Sequence, residues 1–276
     1  MIYSMQYKSF DMREEISEMN LLFTVCGRAG SKGVLGKNTR DFCGVPLVWY
    51  TLAAIESYRV KYASAEDSMQ LVLNTDSEHL ITLAAMTPLT PFVIRRESDL
   101  SGDTVPKVSV IRDCLIRAEE TFGAAFEMVV DLDITSPLRT AEDIRNAIEK
   151  KRARADTDVV FSVTEARRNP YFNMVKEEGG TYSKVISSHY ATRQQAPRLY
   201  DMNASIYAYS AKAVKEKAPA TFFNDHLDIV AMPDTGILDI DSEEDYALLQ
   251  VIAQHFFAVS NGHREIAQIA KSWLEQ

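Results

Sequence analysis

The chain has 276 residues, 46% of them hydrophobic and 25% charged, enough to bury one sizeable core. A formal charge of −9 excludes the broad basic face that nucleic acid or an anionic membrane surface needs, so neither is an expected partner. Three cysteines, Cys26, Cys43 and Cys114, show no CxxC spacing, which argues against a disulfide framework or a zinc site and suits a reducing cytoplasm.

Residues 1–19 are polar and acidic and read as an N-terminal extension ahead of the fold; no run of about 18 apolar residues occurs, so no membrane span is expected. Short apolar runs then alternate with amphipathic stretches. Strands are expected at 20–26, 69–75, 92–94, 127–133, 158–164 and 204–210, with helices near 46–58, 77–86, 104–121 and 141–153. This alternation predicts an α/β, Rossmann-like fold: a mainly parallel sheet with helices on both faces and ligands beyond the carboxyl ends of its strands. From about 165 to 203 the pattern turns irregular, with a hairpin excursion around Gly179-Gly180 that reads as a small protruding subdomain. A last helix opens at "DIDSEED" (239–245), where Ser242 and Asp245 form an Asp variant of the capping box.

The chemically loaded stretch is "CGRAGSKGVLGKN", Cys26 to Asn38, directly after the first strand. Strand, glycine-rich turn and helix together point backbone N–H groups at an anion, and Arg28, Lys32 and Lys37 add more positive charge than a plain turn requires. A triphosphate or pyrophosphate suits them, although lysines of a solvated turn would look the same. It is not a Walker A loop, because Gly30 lies one residue too far from Gly36-Lys37 and Asn38 follows. Nor is it the G-x-G-x-x-G dinucleotide turn, since Gly27, Gly30 and Gly33 are spaced G-x-x-G-x-x-G. Asp239 and Asp241 flank Ile240, so on an extended segment both carboxylates would face one side as a Mg²⁺ platform while Ile240 enters the core. The bland alternative is that they only cap the following helix. Asp76 and Asp103 read as ordinary helix N-caps.

These motifs resemble those of the CMP-N-acylneuraminate (CMP-sialic acid) synthetases and their CMP-legionaminate relatives, the acylneuraminate cytidylyltransferase family. "GRAGSKGVLGKN" resembles that family's RxGSKGxxxKN loop; "NTDSEHL" (74–80), "RRESDLSGDT" (95–104) and "LDITSPLRT" (132–140) match further motifs in order. "RQQAPRLYDMNASIY" (193–207) and "DIDSEED" complete the likeness, which spans about 20 to 250. It implies one cytidylyltransferase domain over 20–276 of the nucleotide-diphospho-sugar transferase type, a homodimer through about 165–190, and conversion of CTP and a nine-carbon 2-keto sugar acid to the CMP-sugar and pyrophosphate. Nucleotide binding then falls to Gly27, Arg28, Ser31, Lys32, Lys37, Asn38, Arg96 and Thr104. Mg²⁺ falls to Asp239 and Asp241, which with Arg28 and Lys32 are the expected catalytic residues; one aspartate also takes the hydroxyl proton.

The resemblance places the sugar near Asp133, Arg193, Gln194, Gln195, Asn203, Tyr207, Phe222 and Phe223. Arginine and amides suit a sugar carboxylate, while the aromatics would ordinarily be core. Three departures stand out: Asp133 where many members have Gln, Ala204 where they have Gly, and Gly27 where they have Ala. A carboxylate in place of the amide accepts hydrogen bonds but cannot donate them. Rival readings are a relative acting on another acceptor, such as the eight-carbon keto sugar KDO, and a non-catalytic nucleotide-binding regulator.

Overall fold

The computed structural model describes residues 19–30, 34–102, 104–235 and 240–275. Strand β1 (Asn20–Cys26) turns Leu21, Phe23 and Val25 to one face and Leu22 to the other, and all four are fully buried. Period-two alternation with both faces dry requires a helical layer on each side. Chain order continues with β2 (Asp41–Phe42), β3 (Val45–Pro46), α1 (Leu47–Lys61), β4 (Ser68–Thr75), α2 (Glu78–Ala85), β5 (Phe92–Arg95) and α3 (Lys107–Phe122). There follow β6 (Met128–Leu132), α4 (Ala141–Ala153), β7 (Val159–Glu165), the hairpin β8 (Val175–Glu178) and β9 (Thr181–Lys184), β10 (Tyr200–Ser210), α5 (Ala211–Glu216), β11 (Leu227–Ala231), α6 (Glu243–Val259) and α7 (Asn261–Ser272).

Seven strands form one sheet in the order β11-β7-β10-β6-β1-β4-β5. All run parallel except β10, which inserts antiparallel between β6 and β7. One core layer packs α1, α2, α4, α6 and α7 against the sheet, and the other packs α3 and α5. Helix α1 is apolar nearly all round and correspondingly buried, as a helix between sheet and outer helices must be. Among the described residues no helix is long and apolar enough to cross a membrane.

The expected strands and helices all form, with boundaries shifted by a few residues; β2, β3, α5, β11 and α7 were not foreseen. The excursion after β7 is the β8–β9 hairpin, turning at Gly179 and Gly180, both at positive φ. Its strands are wholly exposed. Ser242 and Asp245 form the expected capping box at the start of α6.

Strand β10 carries a register irregularity between Met202 and Tyr207, and within it Ala204 sits at φ 50°. That left-handed conformation suits glycine, and alanine here is strained. Ala204→Gly is therefore expected to raise stability by about 0.5–1 kcal/mol, read as a higher urea midpoint at unchanged slope. An unchanged or lower midpoint would contradict the strained backbone.

Candidate active site

The parallel strands deliver their following loops to one edge of the sheet. The turn after β1 begins with Gly27, whose N–H donates to the Asn74 carbonyl at 3.1 Å. A Cβ there would lie 2.7 Å from Leu80 Cδ2 and 2.8 Å from Ile134 Cδ1, so in this chain those side chains fill the room an alanine methyl would need. Asp76, beyond β4, accepts from the Ala29 N–H at 2.6 Å and holds the loop from the side. It is not the N-cap of α2: Ser77 is, accepting from the Leu80 N–H. Asn38 closes the loop by donating to the Arg28 carbonyl at 3.2 Å, and Arg28 reaches across to the Ser101 carbonyl. Arg96, after β5, is oriented by Asn74, to whose side-chain oxygen it donates at 2.6 Å. Thr104 is exposed just ahead of α3. Ser31 and Lys32 lie outside the described residues, as do Asp103 and Asp239.

Lys37 joins this loop to the segment before α6. Its ammonium donates to the Ile240 carbonyl at 2.7 Å and lies 3.6 Å from the Asp241 carboxylate. Ile240 is fully buried, as expected, whereas the Asp241 side chain is 79% exposed. Asp245, not Asp241, accepts the backbone N–H groups of Asp241 and Ser242, so the capping role leaves the Asp241 carboxylate aside. An exposed hard carboxylate beside a phosphate loop is a fitting Mg²⁺ ligand. Among the described residues no cluster of three or more His, Cys, Asp or Glu groups is set up to hold a metal without help from other groups.

Strand β6 holds an ion cluster that was not foreseen. Asp131 and Asp133, two residues apart, face the same way, and Lys107 from the first turn of α3 bridges them at 2.8 and 2.6 Å. Asp131 is fully buried and also accepts from the Thr24 hydroxyl. Burial alone would discharge Lys107, but the two carboxylates outweigh it and hold its pKa well above the ordinary value. Burial likewise opposes the charge on Asp133, yet the Lys107 ammonium and hydrogen bonds from Thr135 hold it down at about 2. Behind them Arg139, fully buried and pushed down to about 10 by that burial, donates to the Asp133 and Ser136 carbonyls and to Ser205. The alternation argument applied to Asp239 and Asp241 fits "VVDLD" equally and would have flagged Asp131; nothing in the sequence joins Lys107 to it.

On the expected sugar side, Arg193 and Gln194 line a cavity of about 350 Å³ with Glu165, Asn169 and Arg198, and Arg193 donates to the Ala166 carbonyl. Gln195 does not join them, because its side chain turns back to accept from the Ala191 and Thr192 N–H groups. Asn203 lies beneath the surface, engaged with Ser162, Ser205 and Met232. Tyr207 is half-buried, stacked on Phe161 and touching Phe223, and the Lys107 ammonium lies 5.6 Å from its ring centre. Phe222 is a correction: at 0% exposure it is core, packed edge-on against Tyr209, and presents nothing to a ligand.

A sheet of this topology sets a cationic glycine-rich turn at the carboxyl edge of β1, where open α/β sheets take their ligands, and the class of protein it belongs to is the nucleotidyltransferases. The cytidylyltransferase family model matches residues 22–255, and the chain belongs to that family. It is 33% identical over 232 residues to "Post-translational flagellin modification protein B" of Campylobacter coli, covering 84% of this chain and 94% of that one. Identity is also 33% over 232 residues, with the same coverage, to the CMP-N,N'-diacetyllegionaminic acid synthase of Campylobacter jejuni. Among solved structures, CMP:2-keto-3-deoxy-manno-octonic acid synthetase complexed with CTP shares the fold at TM-score 0.57 and 14% identity, over 87% of this chain and 99% of that one.

The depressed Asp133 carboxyl sets a pH dependence. Its folded value near 2 lies below the ordinary 3.8, so its contribution to stability is full above about pH 4 and is lost as pH falls through about 2. Denaturant titrations of the parent and Asp133→Asn are expected to differ most at neutral pH and to converge between about pH 4 and 2. A gap that does not narrow would mean that the Lys107 pair does not stabilise the carboxylate.

Proposed function

We propose that the protein transfers the cytidylyl group of CTP to a nine-carbon 2-keto sugar acid bearing acylamido groups, releasing pyrophosphate. The single observation that carries this reading is the Lys37 clasp, which brings the cationic loop and the Asp241 carboxylate to one place. The legionaminic acid synthase relative supports CTP as donor and a nonulosonic acid as acceptor. The anomeric hydroxyl oxygen bonds to the α-phosphorus while the bond to the β-phosphate oxygen breaks, and the hydroxyl proton passes to an aspartate of the 239–241 pair. Arg28, Lys32 and Lys37 grip the triphosphate and Arg96 steadies the nucleotide, so that positioning and electrostatics lower the barrier. Asp241 with Asp239 would hold Mg²⁺, which supplies charge neutralisation on the triphosphate. Free Cys26, Cys43 and Cys114 suit a reducing cytoplasm, where we place the enzyme.

Pyrophosphate release from CTP is to be measured with N-acetylneuraminic, N,N'-diacetyllegionaminic, pseudaminic and KDO acceptors. Turnover is expected with nine-carbon acceptors; turnover with KDO alone would overturn the acceptor class. Arg28→Ala and Asp241→Asn are each expected to lower turnover by roughly a hundredfold, the latter with weakened Mg²⁺ dependence. Unchanged Mg²⁺ curves would remove Asp241 from the metal site.

The assembly we propose is a homodimer through the excursion after β7. Met174, Val175, Tyr182, Val185 and Ile186 leave apolar surface exposed there, Tyr182 at 71%. Sedimentation is expected to show a dimer at micromolar concentration and a shift toward monomer in Tyr182→Glu. A monomeric parent would contradict it.

A further inference from the structure

Lysine is poorly placed in the first turn of a helix, where the dipole already presents positive charge. Lys107 nevertheless occupies the first position of α3, and its side chain is 34% exposed while its ammonium grips two carboxylates. Only one of those carboxylates needs it for burial: Asp131 is fully enclosed, whereas Asp133 lies at the carboxyl edge of the sheet with part of its side chain exposed. An ammonium has three N–H donors, and the two carboxylates take two of them. The same ammonium lies over the Tyr207 ring, on the side of the site where the sugar is placed.

We propose that Lys107 is a specificity-determining residue, which together with Asp133 forms a donor–acceptor pair that reads a neutral acylamido or hydroxyl group of the acceptor sugar. The inference rests on the function proposed above. Asp133 accepts hydrogen bonds but cannot donate them, and Lys107, which donates to it at 2.6 Å, supplies the missing donor. The charges decide which part of the sugar is read. Asp131 and Asp133 are balanced by Lys107 and, behind them, by Arg139, so no surplus positive charge is left to attract the sugar carboxylate or a phosphate. A neutral group with both hydrogen-bonding capacities is what such a pair matches.

Removing Lys107 alone would leave two buried carboxylates facing each other and endanger the fold. The test therefore pairs Lys107→Met with Asp131→Asn, which removes the ammonium and the carboxylate it neutralises while keeping an acceptor for the Thr24 hydroxyl. Kinetics are measured with CTP and with N-acetylneuraminic or N,N'-diacetyllegionaminic acid, whichever the parent turns over. In the double variant the acceptor KM is expected to rise about ten- to a hundredfold, the cost of a lost charged hydrogen bond, with the CTP KM within about twofold. Adding Asp133→Gln is expected to restore most of the loss, because the amide brings its own donor. A purely structural Lys107 would move both KM values together, or neither, and the added glutamine would rescue nothing; either result overturns the inference. Should the double variant not fold, Asp133→Gln and Asp133→Leu, both keeping the Lys107–Asp131 pair, decide: the second is expected to raise the acceptor KM at least about tenfold above the first, with the CTP KM unmoved in both, and equal acceptor values overturn the pair. A parent inactive with every acceptor would overturn the proposed function and this inference with it, whereas an active parent with an unmoved acceptor KM overturns the inference alone.

Discussion

A carboxylate with no exposed surface, Asp131, lies in the middle strand of the sheet, and its charge constrains everything around it. Left alone there it would cost several kcal/mol. Thr24 on the neighbouring strand and Lys107 on α3 answer it, so the entry of α3 is fixed to within the reach of one lysine side chain. Two residues on, Asp133 faces the same way and is drawn into the same pair, while Arg139 grips the backbone of the loop that follows. The edge of the sheet proposed to take the acceptor is thus set by the electrostatics of the core.

The donor side is organised differently. Among the described residues its loop is fastened at intervals: by Asn74 at Gly27, by Asp76 at Ala29, by Asn38 at Arg28, and by Lys37 to the segment before α6. Phosphoryl chemistry asks little covalent participation of a protein and much preorganisation, and a loop held at several backbone points provides it. Lys37 and Arg28 already hold protein carbonyls, so the triphosphate binding proposed for them would exchange some of those bonds for phosphate oxygens.

The central strands were legible because β1, β6 and β7 are continuous apolar runs, and only a strand covered on both faces tolerates that. Strand β11 escaped because its edge position leaves it half-buried, with Asp228 inside a short run; α7, by contrast, sets His263, Ile266, Ala267 and Ala270 on one buried face at helical spacing and was legible by its period. The phosphate loop and the cap of α6 were visible as local motifs. What could not be read is what depends on distance along the chain: Lys107 meets β6 only in the fold, Phe222 is fully buried while its neighbour Phe223 packs against Phe161 and Tyr207, and Gln195 turns back on its own turn. Asp76 and Ser77 are both good caps, and geometry alone chose the serine.

Cytidylyl transfer breaks the bond between the α- and β-phosphates, so the products themselves identify the reaction. The most direct measurement is mass analysis of products formed from an equimolar mixture of CTP, UTP, ATP and GTP with a nonulosonic acid acceptor. This account predicts a CMP-sugar phosphodiester and an equal amount of pyrophosphate, with the other nucleotides untouched. Release of orthophosphate, or comparable consumption of UTP or ATP, would contradict it.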